Sequence, residues 1–256
     1  MAAADGKILC VIPARYQSVR LPGKPLKKVK GIPLVMWTYS RACESQAFTG
    51  VVVATDDQRI YDSVKSSGGN VVMTSSSHQS GTDRMHEVAG FMQYEYLVNL
   101  QGDEPDTPVR MLQEVSRNLQ KLDNNSLLTC VSNATIIEKN DPDVVKAVLN
   151  CRNEALYFSR APIPFARDDT DNNVVYKHSG IYGFTCEGLE RFCSFPGGRL
   201  EHCEKLEQLR ALEFGMNIIC CVCDSSSRGI DTAEDLEAFR ARVESRVMVA
   251  KRENTK

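Results

Sequence analysis

Three cations, Arg15, Arg20 and Lys24, fall within ten residues in the segment ARYQSVRLPGKP (14–25). Backbone N–H groups, guanidinium and ammonium are what a polyphosphate needs to offset its charge at close range. The segment is not a Walker A loop: GxxxxGK[ST] is absent, and Lys24 is followed by proline. A solvated basic loop would have the same composition. Opposite charge comes from Asp103 in VNLQGDEP (98–105) and Asp231 in SRGIDTAE (227–234). A carboxylate just past a strand can hold Mg²⁺, which takes oxygen ligands and keeps waters and phosphate oxygens as partners. Both acids also have structural readings. Gly-Asp-x-Pro is turn chemistry. Asp231 with Glu234 three residues on resembles a capping box that opens a helix.

SGTDR (80–84) sets small hydroxyl residues around a glycine ahead of a helical pattern. It suits recognition of a base or phosphate, or a helix cap made by Thr82 or Asp83 with Glu87 nearby. Arg160 in SRAPIP (159–164), the pair Lys177-His178 and the pair Glu207-Gln208 place polar groups among apolar ones. A lone histidine is more often structural than catalytic, and His178 carries both readings.

These residues need strands that end side by side. Apolar runs at 7–14, 51–55, 70–73 and 96–100 read as buried strands. Helical patterns at 32–45, 57–67, 83–94 and 108–122 alternate with them, and Gly68-Gly69 ends the second. This order predicts an α/β fold, a mostly parallel twisted sheet with helices on both faces. Ligands in such sheets bind beyond the carboxyl ends of the strands, where Arg15 and Asp103 fall. After about residue 127 the pattern changes. Strand-like segments at 127–134, 144–149, 156–158 and 174–184 lack regular helices between them, which predicts a mixed or antiparallel subregion over about 127–215. A helix at 201–214, a strand at 217–223 and a helix from 232 complete the chain.

The 256 residues suit one domain spanning 1–256. Lys plus Arg is 31 and Asp plus Glu is 33, a balance that argues against coating nucleic acid or an anionic membrane. No apolar run approaches the ~20 residues of a membrane span. The N-terminal stretch does not read as a secretory signal. Ten cysteines are scattered without a second C-x-x-C or a completing histidine pattern. They read as buried free thiols in a reducing cytoplasm.

Taken together, the chain resembles the 3-deoxy-manno-octulosonate (KDO) cytidylyltransferase family. The resemblance rests on IPARYQSVRLPGKPL (12–26), VVVATDDQRI (51–60), VVMTSSSHQSGTDR (71–84), VNLQGDEP (98–105), ALYFSRAPIPF (155–165), KHSGIYGF (177–184), EKLEQLRALEFG (204–215) and GIDTAEDL (229–236). It implies a Rossmann-like nucleotidyltransferase fold. It also implies transfer of CMP from CTP to the anomeric hydroxyl of KDO, with loss of pyrophosphate, for lipopolysaccharide or other KDO-containing polysaccharide. Mg²⁺ would be the cofactor, held by Asp103 and Asp231, and a homodimer would form through the inserted subregion. Arg15 and Lys24 would bind triphosphate and, with the two acids, carry catalysis. Thr74, Ser75, Ser80, Gly81, Arg84 and Gln101 would join Arg15 and Lys24 around CTP. Gln101, Arg160, His178, Tyr182, Glu207 and Gln208 would line the sugar pocket, with Arg160 on the sugar carboxylate. The chain departs from the family pattern at Gln17, Val19, Asp106 and Ser179. Rival readings are the same chemistry on 8-amino-KDO or a nonulosonate, a nucleotide-sugar-binding protein without catalysis, and a structural protein held by its helices. The last leaves the basic loop and the strand-end acids unexplained.

Overall fold

The computed structural model describes residues 6–18, 20–167, 175–225, 227 and 229–253. In chain order the elements are β1 (Ile8–Ala14), β2 (Lys28–Val29), β3 (Ile32–Pro33), α1 (Leu34–Glu44), β4 (Gly50–Thr55), α2 (Gln58–Ser66) and β5 (Val71–Met73). Then come α3 (Gly81–Ala89), β6 (Tyr96–Asn99), α4 (Val109–Leu119), β7 (Ser126–Asn133), α5 (Ile136–Asn140), β8 (Lys146–Leu149), β9 (Ala155–Ser159) and β10 (Tyr176–Thr185). The chain closes with α6 (Cys186–Ser194), α7 (Arg199–Glu204), α8 (Leu209–Glu213), β11 (Asn217–Cys223) and α9 (Ala233–Glu253).

The main sheet runs β11-β7-β10-β6-β1-β4-β5. β1 pairs in parallel with β4 and β6, β4 with β5, and β11 with β7. β10 is antiparallel to both β6 and β7. Two strands of segment 127–215, β7 and β10, therefore lie inside the main sheet, while β8 and β9 form an antiparallel pair leaving the first half of β10. The expected strand start at Val174 lies outside the described residues.

Alternation explains the two-sided core. Ile8, Cys10 and Ile12 of β1 join one apolar cluster, and Leu9 and Val11 join the other. A parallel strand buried on both faces needs this near-continuous apolar run. One cluster is covered by α1, α2 and α4; in α4, Met111, Leu112, Val115 and Leu119 form the buried stripe. The other is covered by α3, α6 and α8 through Met85, Val88, Leu189, Phe192, Leu209 and Ala211. Burying each such aliphatic side chain stabilises by about 1.5–3 kcal/mol. A third cluster, with Leu21, Val29, Leu34, Ile230, Leu236 and Phe239, packs α9 against the loop after β1. That packing brings the segment before α9 to the basic loop.

α5 stands between two strand segments expected to lack a regular helix between them, and α6 was not expected, while other helices differ in their bounds. Residues 32–33 pair with β2 as a short strand, so α1 starts at Leu34. α3 starts at Gly81, because Ser80 caps it in a box with Asp83, and ends at Gly90 rather than continuing to 94. The single helix expected over 201–214 is two helices. Lys205 takes a left-handed backbone, φ 56°, and breaks it. The break leaves Glu207 and Gln208 on a turn between α7 and α8.

Candidate active site

Strand ends of β1, β4, β5 and β6 supply the site, as the sheet topology requires. The loop after β1 is shaped at Gly23, whose φ of +66° is a left-handed conformation that side chains other than glycine resist. The Tyr16 ring packs against Gly23, and the Arg59 guanidinium lies 3.4 Å from the centre of that ring. The turn leads into the 3₁₀ turn Lys24–Leu26 and aims Lys24 inward.

Lys24 Nζ donates to Asp103 Oδ2 at 2.5 Å and to Asp231 Oδ1 at 2.9 Å. Arg20 Nη2 lies 2.9 Å from the other Asp231 oxygen. Burial alone would lower the pKa of Lys24, but Asp103 and Asp231 outweigh it and hold the ammonium above its ordinary value. Asp231 does not cap α9. Thr232 Oγ1 accepts from the Asp235 N–H, while Asp235 Oδ2 accepts from the N–H groups of Asp231 and Thr232. The capping expectation for Asp231 with Glu234 is thereby corrected, and the Asp231 carboxylate faces the cations.

Beside this cluster lies a cleft of about 300 Å³, bordered by Arg15, Gln17, Lys24, Gly81, Gln101 and Asp103 among others. Gly81 and Gly102 allow its walls to close up. A Cβ on Gly81 would come within 2.9 Å of Pro13 Cγ, and one on Gly102 within 2.8 Å of the Pro13 carbonyl. Arg15 Nη2 donates to the carbonyls of His78 at 2.5 Å and Ser80 at 3.1 Å, tying the loop before α3 to β1. Burial and then Arg84 lower the Arg15 pKa.

The remaining residues expected around CTP divide. Ser80 caps α3, so its hydroxyl accepts from Asp83 N–H at 3.0 Å. Thr74 is buried and accepts from Arg84 Nη1, while its own hydroxyl donates to the Thr55 carbonyl. Arg84 is wholly buried, with Nη2 3.1 Å from Asp56 Oδ2. Thr74 and Arg84 thus form the floor under the loop. Ser75 is exposed; its N–H donates to Glu87, and its hydroxyl pairs with Ser77.

On the other side of β6 a second polar group forms. Tyr182 on β10 stands opposite Asn99 on β6 in register. Tyr182 donates its hydroxyl to Gln208 Oε1 at 3.0 Å. Asn99 Nδ2 donates to Thr82 Oγ1 at 3.4 Å, and Thr82 donates to Glu207 Oε2 at 2.9 Å. Burial pushes the Glu207 carboxyl up, against hydrogen bonds from Ser80 and Thr82 that pull it down. Asn99 Oδ1, Glu207 Oε1 and Gln208 Nε2 are buried with no hydrogen-bond partner within the chain. Orphaned buried polar atoms are rare in folded proteins, and these three lie close together: Asn99 and Glu207 both bond Thr82 of α3, and Gln208 follows Glu207 on the turn between α7 and α8.

His178 and Arg160 make hydrogen bonds within the chain. His178 Nε2 lies 2.8 Å from Thr129 Oγ1, whose hydroxyl is also 2.8 Å from the Ile181 carbonyl. The ring sits edge-on to Phe158, and burial pulls its pKa down to about 3. At neutral pH the imidazole is uncharged. Arg160 donates Nε to the Glu204 carbonyl at 2.9 Å and Nη1 to the Pro142 carbonyl at 3.1 Å, bracketing two loops. The structure brings neither residue's polar atoms into contact with Tyr182, Glu207 or Gln208 by a hydrogen bond.

Sequence reasoning missed Asp56, Asn99, Thr129 and Glu104. Each except Thr129 sits in a motif already quoted, but only the fold shows which side chains turn inward. Two departures from the family pattern are accommodated. Asp106 pairs with Arg242 of α9 at 2.9 Å, and Gln17 is not among the positive-φ residues. Ser179 is buried with its hydroxyl unpartnered, and Val19 lies outside the described residues. All ten cysteines are free, but only Cys10, Cys130, Cys220 and Cys221 are buried; Cys186, Cys193 and Cys223 are half-buried and Cys43, Cys151 and Cys203 exposed. Among the described residues, no helix is long and apolar enough to cross a membrane.

A cytidylyltransferase family model matches residues 9–218. A 3-deoxy-manno-octulosonate cytidylyltransferase from Thermodesulfovibrio yellowstonii is 46% identical, over 90% of this chain and 95% of the relative. The chain belongs to the 3-deoxy-manno-octulosonate cytidylyltransferase family. This cytidylyltransferase is also similar to an 8-amino-3,8-dideoxy-manno-octulosonate cytidylyltransferase from Shewanella piezotolerans, 44% identical over 92% of this chain and 98% of the relative. Among solved structures it superposes on a CMP:2-keto-3-deoxy-manno-octonic acid synthetase complexed with CTP, with TM-score 0.89 and 38% identity. That match covers 94% of this chain and 99% of the other. The nucleotidyltransferase fold expected from the sequence is therefore established.

Proposed function

We propose that this cytidylyltransferase transfers CMP from CTP to the anomeric 2-hydroxyl of KDO. In that reaction the hydroxyl oxygen bonds to the α-phosphorus and pyrophosphate leaves. The observation that carries the reading is the convergence of Lys24 on Asp103 and Asp231, beside a cleft bordered by Arg15. Phosphoryl-type transfer asks for positioning and charge neutralisation rather than a covalent nucleophile. Lys24 supplies positive charge to the triphosphate, and Arg15 holds the loop that walls the cleft. The unpartnered atoms of Asn99, Glu207 and Gln208, with Tyr182, suit the hydroxyls of an acid sugar. Gln101 borders the cleft.

The donor set fits Mg²⁺. Asp103 and Asp231 already converge on one cationic group, and among the described residues no trio of His, Cys, Asp or Glu gathers to hold a metal by itself. Two carboxylates completed by phosphate oxygens are the usual Mg²⁺ arrangement. Bound there, Mg²⁺ would neutralise charge on the phosphates.

The relative named for the 8-amino sugar, at 44% identity, supports a second reading for the acceptor. Ile136, Ile137, Leu156 and Phe165, all exposed apolar residues in segment 127–215, favour a homodimer formed there. Ten free thiols favour a reducing, cytoplasmic setting, with the product feeding lipopolysaccharide or another KDO polysaccharide. The test is ³¹P NMR of a mixture of the protein, CTP, Mg²⁺ and KDO. A phosphodiester signal appearing with one pyrophosphate per CTP consumed is the expected result. Pyrophosphate without a CMP-sugar would mean hydrolysis and refute the transfer.

A further inference from the structure

The turn that carries Asp103 and the loop that carries Asp231 belong to segments far apart in the chain. Two hydrogen bonds join them. Ile230 N–H donates to the Asp103 carbonyl at 2.9 Å. Ser227 Oγ donates to Glu104 Oε2 at 2.5 Å. Glu104 is itself fixed within its turn. Its N–H donates to the Gln101 carbonyl at 3.1 Å, and its carbonyl accepts from the Thr107 hydroxyl at 2.8 Å. The side chain is buried, and Glu104 is not among the residues that border the cleft. A carboxyl buried in such a place costs stability unless it is bonded, and Ser227 supplies that bond.

We propose that Glu104 is a positioning residue for the transfer reaction. Through Ser227 it fastens the loop of Asp231 to the turn of Asp103, and so sets how the two carboxylates face each other. Ser227 stands four residues before Asp231, and the Ile230–Asp103 bond lies between them along the loop. In sequence the two bonded residues, Ser227 and Ile230, stand on either side of Gly229. Removing the first bond lets the Asp231 carboxylate move relative to Asp103 while both acids remain present. The inference rests on the proposed Mg²⁺-dependent transfer.

The test uses the full chain with Glu104→Gln, Glu104→Ala, Ser227→Ala and the Ala double variant. Three quantities are read: Mn²⁺ affinity by electron paramagnetic resonance with CTP present, the Mg²⁺ concentration for half-maximal pyrophosphate release, and KM for CTP at saturating Mg²⁺. Glu104→Ala and Ser227→Ala should each weaken Mn²⁺ binding and raise the Mg²⁺ requirement about tenfold, the lower end for groups that orient metal ligands from behind. KM for CTP should change less than about twofold. The double variant should match the singles, because both break one bond. Glu104→Gln keeps an oxygen to accept from Ser227 and should restore most of the affinity. Ser227→Ala, which removes a single hydroxyl at a half-buried position, keeps the test valid if Glu104→Ala does not fold. Metal affinity within twofold of wild type in Ser227→Ala would overturn the proposal, as would additive effects in the double variant. A wild-type protein that releases no pyrophosphate would refute the transfer reading instead, a result distinct from either.

Discussion

Lys24 on the loop after β1 and Asp103 on the turn after β6 meet at 2.5 Å, 79 residues apart in sequence. Through this contact the parallel strands convert two sequence motifs into one charge cluster. Because its acidic partners more than offset burial, Lys24 is protonated more firmly in the folded state than in the unfolded chain. A raised folded pKa stabilises fully below the ordinary lysine value of 10.5 and loses that contribution as pH climbs through the folded value. The melting temperature of wild type should therefore fall toward that of Lys24→Met above pH 10.5. Thermal melts of both proteins at pH 8 and pH 11 check this; a gap that widens at pH 11 would contradict it. At neutral pH, Lys24→Met should lose at least about 100-fold in turnover, the scale of removing one group that stabilises transition-state charge.

Asp231→Asn separates a cap from a charge. With Thr232 and Asp235 forming the cap, Asp231→Asn should change stability by less than about 1 kcal/mol. Turnover should nevertheless collapse, because the neutral amide neither pairs with Lys24 and Arg20 nor attracts a hard cation. Thr232→Ala should do the opposite, costing about 1 kcal/mol of stability while leaving the metal requirement in place. Denaturant unfolding alongside a Mg²⁺ titration distinguishes the two.

The strands of the first half and the positions of the basic loop, Asp103 and Asp231 were legible in the sequence, because apolar runs and the residues that follow them are local features; the place of β7 and β10 within the sheet was not. Nor was what each side chain touches. Asp231-x-x-Glu234 and Thr232-x-x-Asp235 are both plausible caps on spacing, and only packing of α9 on Leu21, Val29 and Leu34 decides between them. The break at Lys205 carries no glycine or proline, so in the sequence the helical period runs through it. Yet that break puts Gln208 against Tyr182. Glu104 reads as one more acid in a turn until the loop from β11 closes over it.

His178 should behave as a stability group and not as an acid or base. Its folded pKa of about 3 lies below the ordinary 6.5, so the unfolded chain binds the extra proton between those values. Stability from this group is present above pH 6.5 and is lost as pH falls toward 3. His178→Gln should flatten that acid limb in melts between pH 4 and 7. It should also leave the shape of the kcat pH profile unchanged; loss of a limb of that profile in His178→Gln would assign His178 to catalysis.

Arg160→Ala should show itself first in stability. Two hydrogen bonds from a charged donor to the carbonyls of Glu204 and Pro142 disappear, at about 1.5–3 kcal/mol for a charged hydrogen bond. Gln208→Ala, by contrast, leaves the Tyr182 hydroxyl without its acceptor and should raise KM for the acid sugar while sparing KM for CTP. Steady-state kinetics and melts of both variants check the contrast. A large rise in sugar KM for Arg160→Ala at unchanged melting temperature would place its guanidinium on the sugar instead.

The central claim is tested most directly by pyrophosphate release from CTP, UTP, ATP and GTP, each offered with KDO, 8-amino-KDO and a nonulosonate. The account predicts release that requires Mg²⁺, CTP and an octulosonate acceptor, with KDO turned over fastest. Equal turnover with ATP, or no release with CTP and either octulosonate, would contradict it.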